Sequence, residues 1–416
     1  MTGADLPNLV TSIPGPASRG WIDRLAKREC PAITARRARR ADALGVADTD
    51  PIVWAAAVGA NIEDVDGNRF VDLTAGFGVA GVGHRNPAVV EAAKAQLDTL
   101  VHAMGDAFPD TGRVLLLEKL AELTGMSHGI LGSSGSDAVE AALKTARVAT
   151  GRDGVLAFDG GYHGLTYGAL SVLGYKADAF RAPFAGQLGG HVQWSPFGDM
   201  PASFADVGAV ILEPIQGRGG IVVPPMGWLE ELRSRCDRDG ALLIFDECYT
   251  GFGRTGAWFA HQEEGVKPDL LCVGKALGGG FPISACLGTA EVMAAWGASK
   301  GEALHTQTFL GNPLGCAMAL ASLGYMERKE LPARAAQIGS WLAGELSRFG
   351  AVRGRGLLLG VEIPGALQVS RALLERGYLL LPAGPAAEVL AITPPLTITQ
   401  HQLVGFLDAL GDAVRG

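Results

Sequence analysis

The sequence predicts an α/β fold with a mostly parallel central sheet. Two observations carry that prediction. From about residue 74 to about residue 311, short apolar runs alternate with helical patterns; the runs at 155–158, 207–212, 241–245 and 270–273 are examples. Such alternation implies strand–helix units wound into a parallel sheet. The second observation is where chemistry-bearing residues fall. The run 241–245 ends in Asp246-Glu247, and the run 270–273 leads through Gly274 into Lys275. On sheets of this kind ligands sit at the carboxyl ends of the strands, which is where Asp246 and Lys275 lie.

Residues 1 to about 50 hold Pro14-Gly15-Pro16 and a charged helical stretch, and read as an arm, not a core. The cluster Arg36-Arg37-Ala38-Arg39-Arg40 is an anion-binding patch, a solvated helix face or part of a subunit contact. Residues 51–72 read as a small antiparallel sheet with a turn at Asp66-Gly67-Asn68. Beyond Gly311 come a long Ala-rich helix and a mixed α/β tail containing Pro394-Pro395-Leu396.

The 416 residues suffice for a large core and more than one domain, and 48% hydrophobic residues mark the chain as globular. Its 59 glycines are about twice the usual share of roughly 7%, and many follow apolar runs, where backbone must come close to a ligand. A net charge of −8 argues against a nucleic-acid partner. Six scattered cysteines without a CxxC pair suggest neither a metal site nor a disulfide framework. The N-terminus lacks a signal-peptide pattern and no apolar run approaches the roughly 20 residues of a membrane span, so a cytoplasmic protein is expected.

A poorly hydrated lysine beside a strand end supplies a usable amine nucleophile. An aspartate at the end of a neighbouring strand can hold a protonated ring nitrogen. Together they suit pyridoxal phosphate, which needs a Schiff-base lysine and a carboxylate for its pyridinium. Each alone is equally well a surface lysine or a helix-capping aspartate. Gly132-Ser133-Ser134-Gly135-Ser136-Asp137-Ala138 runs into an amphipathic helix at 139–147. Its free N–H groups and the helix dipole favour an anion, with the Ser136 hydroxyl as a further donor; the same residues also make an ordinary N-cap. The string is neither a P-loop nor a dinucleotide fingerprint. In Phe158-Asp159-Gly160-Gly161-Tyr162-His163-Gly164, Tyr162 is placed to cover a planar group, or to pack as a loop aromatic.

From Pro14 to Thr397 the chain resembles the class III aminotransferases, pyridoxal phosphate enzymes of fold type I. The most specific match is Phe245-Asp246-Glu247-Cys248-Tyr249-Thr250-Gly251-Phe252-Gly253-Arg254-Thr255-Gly256, with Lys275 at the family's spacing. The resemblance implies a large cofactor-binding domain at 74–311 and a smaller α/β domain built from both termini, taking in 1–73 with its arm and 312–416. It implies that Lys275 is the Schiff-base lysine and proton carrier, and that Asp246 is the pyridinium partner. Gly135 and Ser136 would bind phosphate, Tyr162 would stack on the ring, and Glu213 would lie beside the cofactor. Thr308 would reach the neighbouring subunit's phosphate, which makes the protein a homodimer with shared sites.

The departures bear on substrate. The family's aliphatic residue and glutamine after Asp-Glu are Cys248 and Tyr249 here; the thiol can pack on the ring and the hydroxyl can bond the ring oxygen. Amino-acid-handling members carry arginine at the position of Leu165, glutamate at Arg218 and arginine at Ala391. Both carboxylate-binding arginines are thus missing, and Arg218 is a guanidinium where an anion is usual. The expected activity is amino transfer between glutamate/2-oxoglutarate and a neutral or cationic acceptor, such as the 6'-position of an amino sugar in antibiotic biosynthesis. The alternative is an ω-amino acid, diamine or acetylornithine/4-aminobutyrate-type aminotransferase with Arg218 as carboxylate receptor. An aminomutase, a decarboxylating relative and a non-catalytic sugar- or nucleotide-binding protein are the remaining readings.

Overall fold

The computed structural model describes residues 1–34, 51–189, 191–298 and 301–415. The arginine cluster at 36–40 lies outside the described residues. The first strands are β1 (Trp54–Val58), β2 (Asn61–Asp64) and β3 (Arg69–Asp72), paired antiparallel as expected. The turn between β2 and β3 closes because Asp64 Oδ1 accepts the N–H groups of Asp66 (2.9 Å) and Asn68 (2.8 Å), with Gly67 at φ +83°.

The central sheet contains β4 (His128–Gly132), β5 (Gly154–Phe158), β6 (Val192–Ser195), β7 (Val207–Leu212), β8 (Leu242–Asp246), β9 (Leu270–Val273) and β10 (Ser284–Gly288). Their spatial order is β4-β10-β9-β8-β7-β5-β6. The five strands from β6 to β9 pair parallel; β10 runs antiparallel to both β4 and β9. All residues of β7 and β9 are buried, the pattern of strands covered on both faces. This is why they read as continuous apolar runs.

The Ala-rich helix spans Pro313–Arg328, started by Asn312, whose side chain accepts the Gly315 N–H. The tail forms β11 (Ala351–Arg355), β12 (Leu358–Glu362), β13 (Tyr378–Leu379), β14 (Leu381–Ala383) and β15 (Val389–Ile392). Strands β11-β12-β15-β14 make an antiparallel sheet, whereas β13 joins β3 in parallel, so the C-terminal chain completes the N-terminal sheet. Among the described residues no helix is long and apolar enough to cross a membrane, and no cluster suits a metal ion.

Candidate active site

Asp246 closes β8 and is 4% exposed. Its Oδ2 lies 2.8 Å from His163 Nδ1, and its Oδ1 accepts the Cys248 N–H at 3.0 Å. Burial by itself would raise its pKa. The His163 hydrogen bond and charge, the Lys275 cation and the Cys248 N–H outweigh burial and hold the carboxyl below the usual range. His163 comes from the loop after β5, and no motif of the sequence assigns it a role. Its position between Tyr162 and Gly164, just past a strand end, was the available signal. Its Nε2 is buried without a partner among the described residues.

Lys275 follows β9 and Gly274 and takes φ +36° at the start of a short turn. Its Nζ lies 4.7 Å from the centroid of the Tyr249 ring. That ring is wedged between two glycines. A Cβ at Gly217 would fall 2.2 Å from Tyr249 Cδ1, and one at Gly78 would fall 2.6 Å from its Cε2. Either side chain would displace Tyr249. The Tyr249 hydroxyl engages Thr393 Oγ1 at 3.1 Å.

The anion cradle is set by a capping box. Ser134 Oγ accepts the Asp137 N–H at 3.2 Å, and Asp137 Oδ2 accepts those of Ser133 and Ser134, both at 2.9 Å. The N–H groups of Gly135 and Ser136, the next two in the turn, are left for a ligand at the positive end of a 16-residue helix. Ser136 Oγ accepts the Leu165 N–H at 3.3 Å, so its own proton remains available. Cys248 packs under the cradle: a Cβ at Gly135 would meet its Sγ at 3.0 Å, and one at Gly274 at 3.5 Å. Burial, followed by the Asp246 charge, pushes the Cys248 thiol well up, so it is a neutral packing group and not a nucleophile.

Glu213, just beyond β7, accepts the N–H groups of Tyr162 (2.9 Å) and Gly217 (3.1 Å) and thereby fixes two loops. Burial first, then nearby Asp246, raise its pKa against the pull of His163 and those N–H groups. The site therefore holds one carboxyl poised anionic and a second pushed towards its neutral form. Ser133 Oγ donates to Gln307 Oε1 at 2.8 Å, which ties the cradle to the exposed loop bearing Thr308.

Arg218 is half-buried with its guanidinium 4.5 Å from the Tyr162 ring centroid and 5.4 Å from that of Tyr175. Among the described residues no carboxylate lies within ion-pair distance of it. Leu165 is 50% exposed at the rim. Ala391 on β15 packs instead into an apolar cluster with Ile215, Ile221, Leu358 and Tyr249. The structure thus brings together Asp246, Lys275, Cys248, Tyr249, Gly135, Ser136, Tyr162, Glu213 and Arg218. It leaves Thr308 on the surface.

The model of the family described as aminotransferase class-III matches residues 45–414. The chain belongs to the class III aminotransferases. It is 40% identical over 374 residues to an acetylornithine aminotransferase of Methanosarcina mazei, covering 87% of this chain and 92% of that one. An acetylornithine aminotransferase of Mycolicibacterium smegmatis is 40% identical over 373 residues, covering 87% and 93%. Among solved structures, an ornithine aminotransferase from Toxoplasma gondii superposes with TM-score 0.85 at 28% identity, covering 97% and 96%. An amine transaminase from an uncultivated Pseudomonas species, in its PLP-bound form, gives TM-score 0.82 at 30% identity, covering 88% and 94%. The fold is therefore that of the pyridoxal phosphate-dependent transaminases, and this aminotransferase uses pyridoxal 5'-phosphate. The residues present fit that cofactor: a cradle with two uncommitted N–H groups, a buried carboxylate kept anionic, and a lysine at the adjacent strand end.

Proposed function

We propose that this aminotransferase exchanges an amino group between glutamate/2-oxoglutarate and an amine substrate of the ω-amino acid or acetylornithine type, which it recognises through a carboxylate. The observation that carries this reading is Arg218, whose guanidinium lies over the Tyr162 ring and near Tyr175 and, among the described residues, has no carboxylate within ion-pair distance. A guanidinium is a planar fork that suits bidentate recognition of a carboxylate. The likeness to acetylornithine aminotransferases supports the same substrate class. The amino-sugar reading keeps one support, the absence of arginine at Leu165 and Ala391.

The cofactor supplies an electron sink for the carbon that bears the amino group. The chain does the rest. Asp246, held anionic by His163, keeps a proton on a pyridine nitrogen placed against it. Lys275 Nζ would take the proton from the substrate carbon and deliver it to the carbon on the far side of the amino nitrogen, a 1,3 transfer. Gly135 and Ser136 donate to the phosphate, Tyr162 covers the ring, and Tyr249 and Cys248 shape the wall around it.

Arg218→Leu is expected to raise KM for glutamate and for the ω-amino acid by about tenfold to a hundredfold, the usual worth of a charge-assisted pair. Steady-state kinetics check this, and an unchanged KM for both substrates removes Arg218 from recognition.

The same reading makes the enzyme a homodimer with shared sites. Segment 101–108 lies against the Thr308 loop: Asn312 Nδ2 donates to the Val101 carbonyl at 3.1 Å, and His102 meets Phe309 edge-on at 5.4 Å. Exposed apolar side chains flank this contact, including Val101 (53%), Met104 (57%), Phe108 (72%) and Phe309 (59%). A patch of that kind favours a subunit interface. Thr308→Ala should weaken cofactor retention without touching Lys275. Mixed with Lys275→Ala it should regain activity, because one heterodimer site then carries both lesions and the other neither. Proven heterodimers that stay inactive would place each site within one chain.

A further inference from the structure

Ile221 is fully buried yet has φ +55°, a conformation that a β-branched residue rarely adopts. It ends the loop that carries Arg218. Gln216 and Val222 exchange backbone hydrogen bonds, both at 3.0 Å, and so close the loop 217–221 at its base. Within it Gly220 takes φ +115°. The turn is tight, and the Ile221 side chain is driven out of it into a hollow on the C-terminal sheet.

Missing side chains make that hollow. A Cβ at Gly360 on β12 would lie 3.0 Å from Ile221 Cβ, and one at Gly354 on β11 would lie 2.9 Å from its Cγ2. Ala391, the β15 partner of Gly360, belongs to the same apolar cluster. The sheet holds the loop at two more points. The Gly384 N–H donates to the Arg218 carbonyl at 3.1 Å, and the Tyr175 hydroxyl donates to the Gly384 carbonyl at 3.4 Å. Tyr175 is one of the two rings beneath the Arg218 guanidinium. One face of the C-terminal sheet therefore fixes the backbone of Arg218, a ring it stacks on, and the residue that ends its loop.

We propose that Ile221 is a positioning residue for substrate recognition: seated between Gly354 and Gly360, it locks the 217–221 loop so that Arg218 presents its guanidinium to a substrate carboxylate. This rests on Arg218 as the carboxylate receptor. Ile221 touches no substrate. It holds the loop in a backbone path that places Arg218 over Tyr162 and near Tyr175, so its loss affects carboxylate binding and spares the chemical step.

The test is a double-mutant cycle on the holoenzyme, reading KM for glutamate, the inhibition constant of glutarate (a dicarboxylate without an amine) and kcat. Ile221→Gly should raise both binding constants roughly tenfold, the loss of one well-aimed charge-assisted pair, and leave kcat within about twofold. Ile221→Val should restore wild-type values. Ile221→Ala, which keeps the loop's backbone and loses the plug, serves if the glycine variant does not fold. In an Arg218→Leu background neither should raise the constants further, because the residue being positioned is gone. If Arg218→Leu itself leaves both constants unchanged, the carboxylate-receptor reading fails and takes the Ile221 proposal with it. If Arg218→Leu raises them but the Ile221 variants do not, or add their full effect on top of it, the positioning role alone is overturned.

Discussion

Lys275→Ala is expected to lower kcat by about 10³-fold or more, towards the upper end of what a positioned proton carrier contributes, while the protein still binds its cofactor without a covalent link. The argument is positional. Lys275 leaves the carboxyl end of β9 beside Asp246. Lys267, its nearest lysine neighbour in the described sequence, precedes β9 and sits at the opposite end of the strand. Lys176 lies over Tyr175, 5.6 Å from the ring centroid, in a different loop. Neither of these two amines is placed to take over from Lys275. The anion cradle and Tyr162 owe nothing to Lys275, and Asp246 keeps its His163 and Cys248 hydrogen bonds without it, so cofactor affinity should fall only modestly. Borohydride reduction followed by peptide mapping checks the covalent part. A reducible adduct in the variant, with turnover, would show that another lysine does the work.

Asp246→Asn is expected to cost about 10²-fold or more in kcat with the covalent link to Lys275 intact. A neutral amide offers no charge to keep a ring nitrogen protonated. It also leaves His163 buried with both ring nitrogens poorly served, since Nε2 already lacks a partner among the described residues and Nδ1 relies on Asp246. His163→Gln should reproduce part of the loss, because the hydrogen bond from His163 helps to hold Asp246 below the usual carboxylate range. Wild-type kcat in Asp246→Asn would remove the carboxylate from the chemistry.

The central sheet was legible because its parallel strands are buried on both faces and so appear as unbroken apolar runs; β7 and β9 are the clearest. Asp246 and Lys275 were legible because each is the first polar side chain after such a run. The antiparallel course of β10 was not, since a short buried strand reads the same in either direction. His163 escaped because its partner lies 83 residues away, and only the sheet order brings the loop after β5 to the end of β8. The bond between the Tyr249 hydroxyl and Thr393 was not legible either, because it is set by the packing of the C-terminal segment. The left-handed backbone of Ile221 has no signature in a run that reads Gly-Gly-Ile-Val-Val. On substrate, the residues at 165 and 391 pointed to an amino sugar. The stacked Arg218 and the relatedness to acetylornithine aminotransferases favour a carboxylate-bearing amine.

The specificity ratio tests that last point most directly. Purified holoenzyme would be supplied with 2-oxoglutarate and, in parallel, with N-acetylornithine, 4-aminobutyrate and an amino sugar bearing a primary amine, and kcat/KM measured for each. Carboxylate recognition through Arg218 predicts that at least one of the two amino acids exceeds the amino sugar by tenfold or more, consistent with the worth of one charge-assisted pair, and that Arg218→Leu erases the difference. An amino sugar converted more efficiently than both amino acids, with a ratio that Arg218→Leu leaves in place, would contradict it.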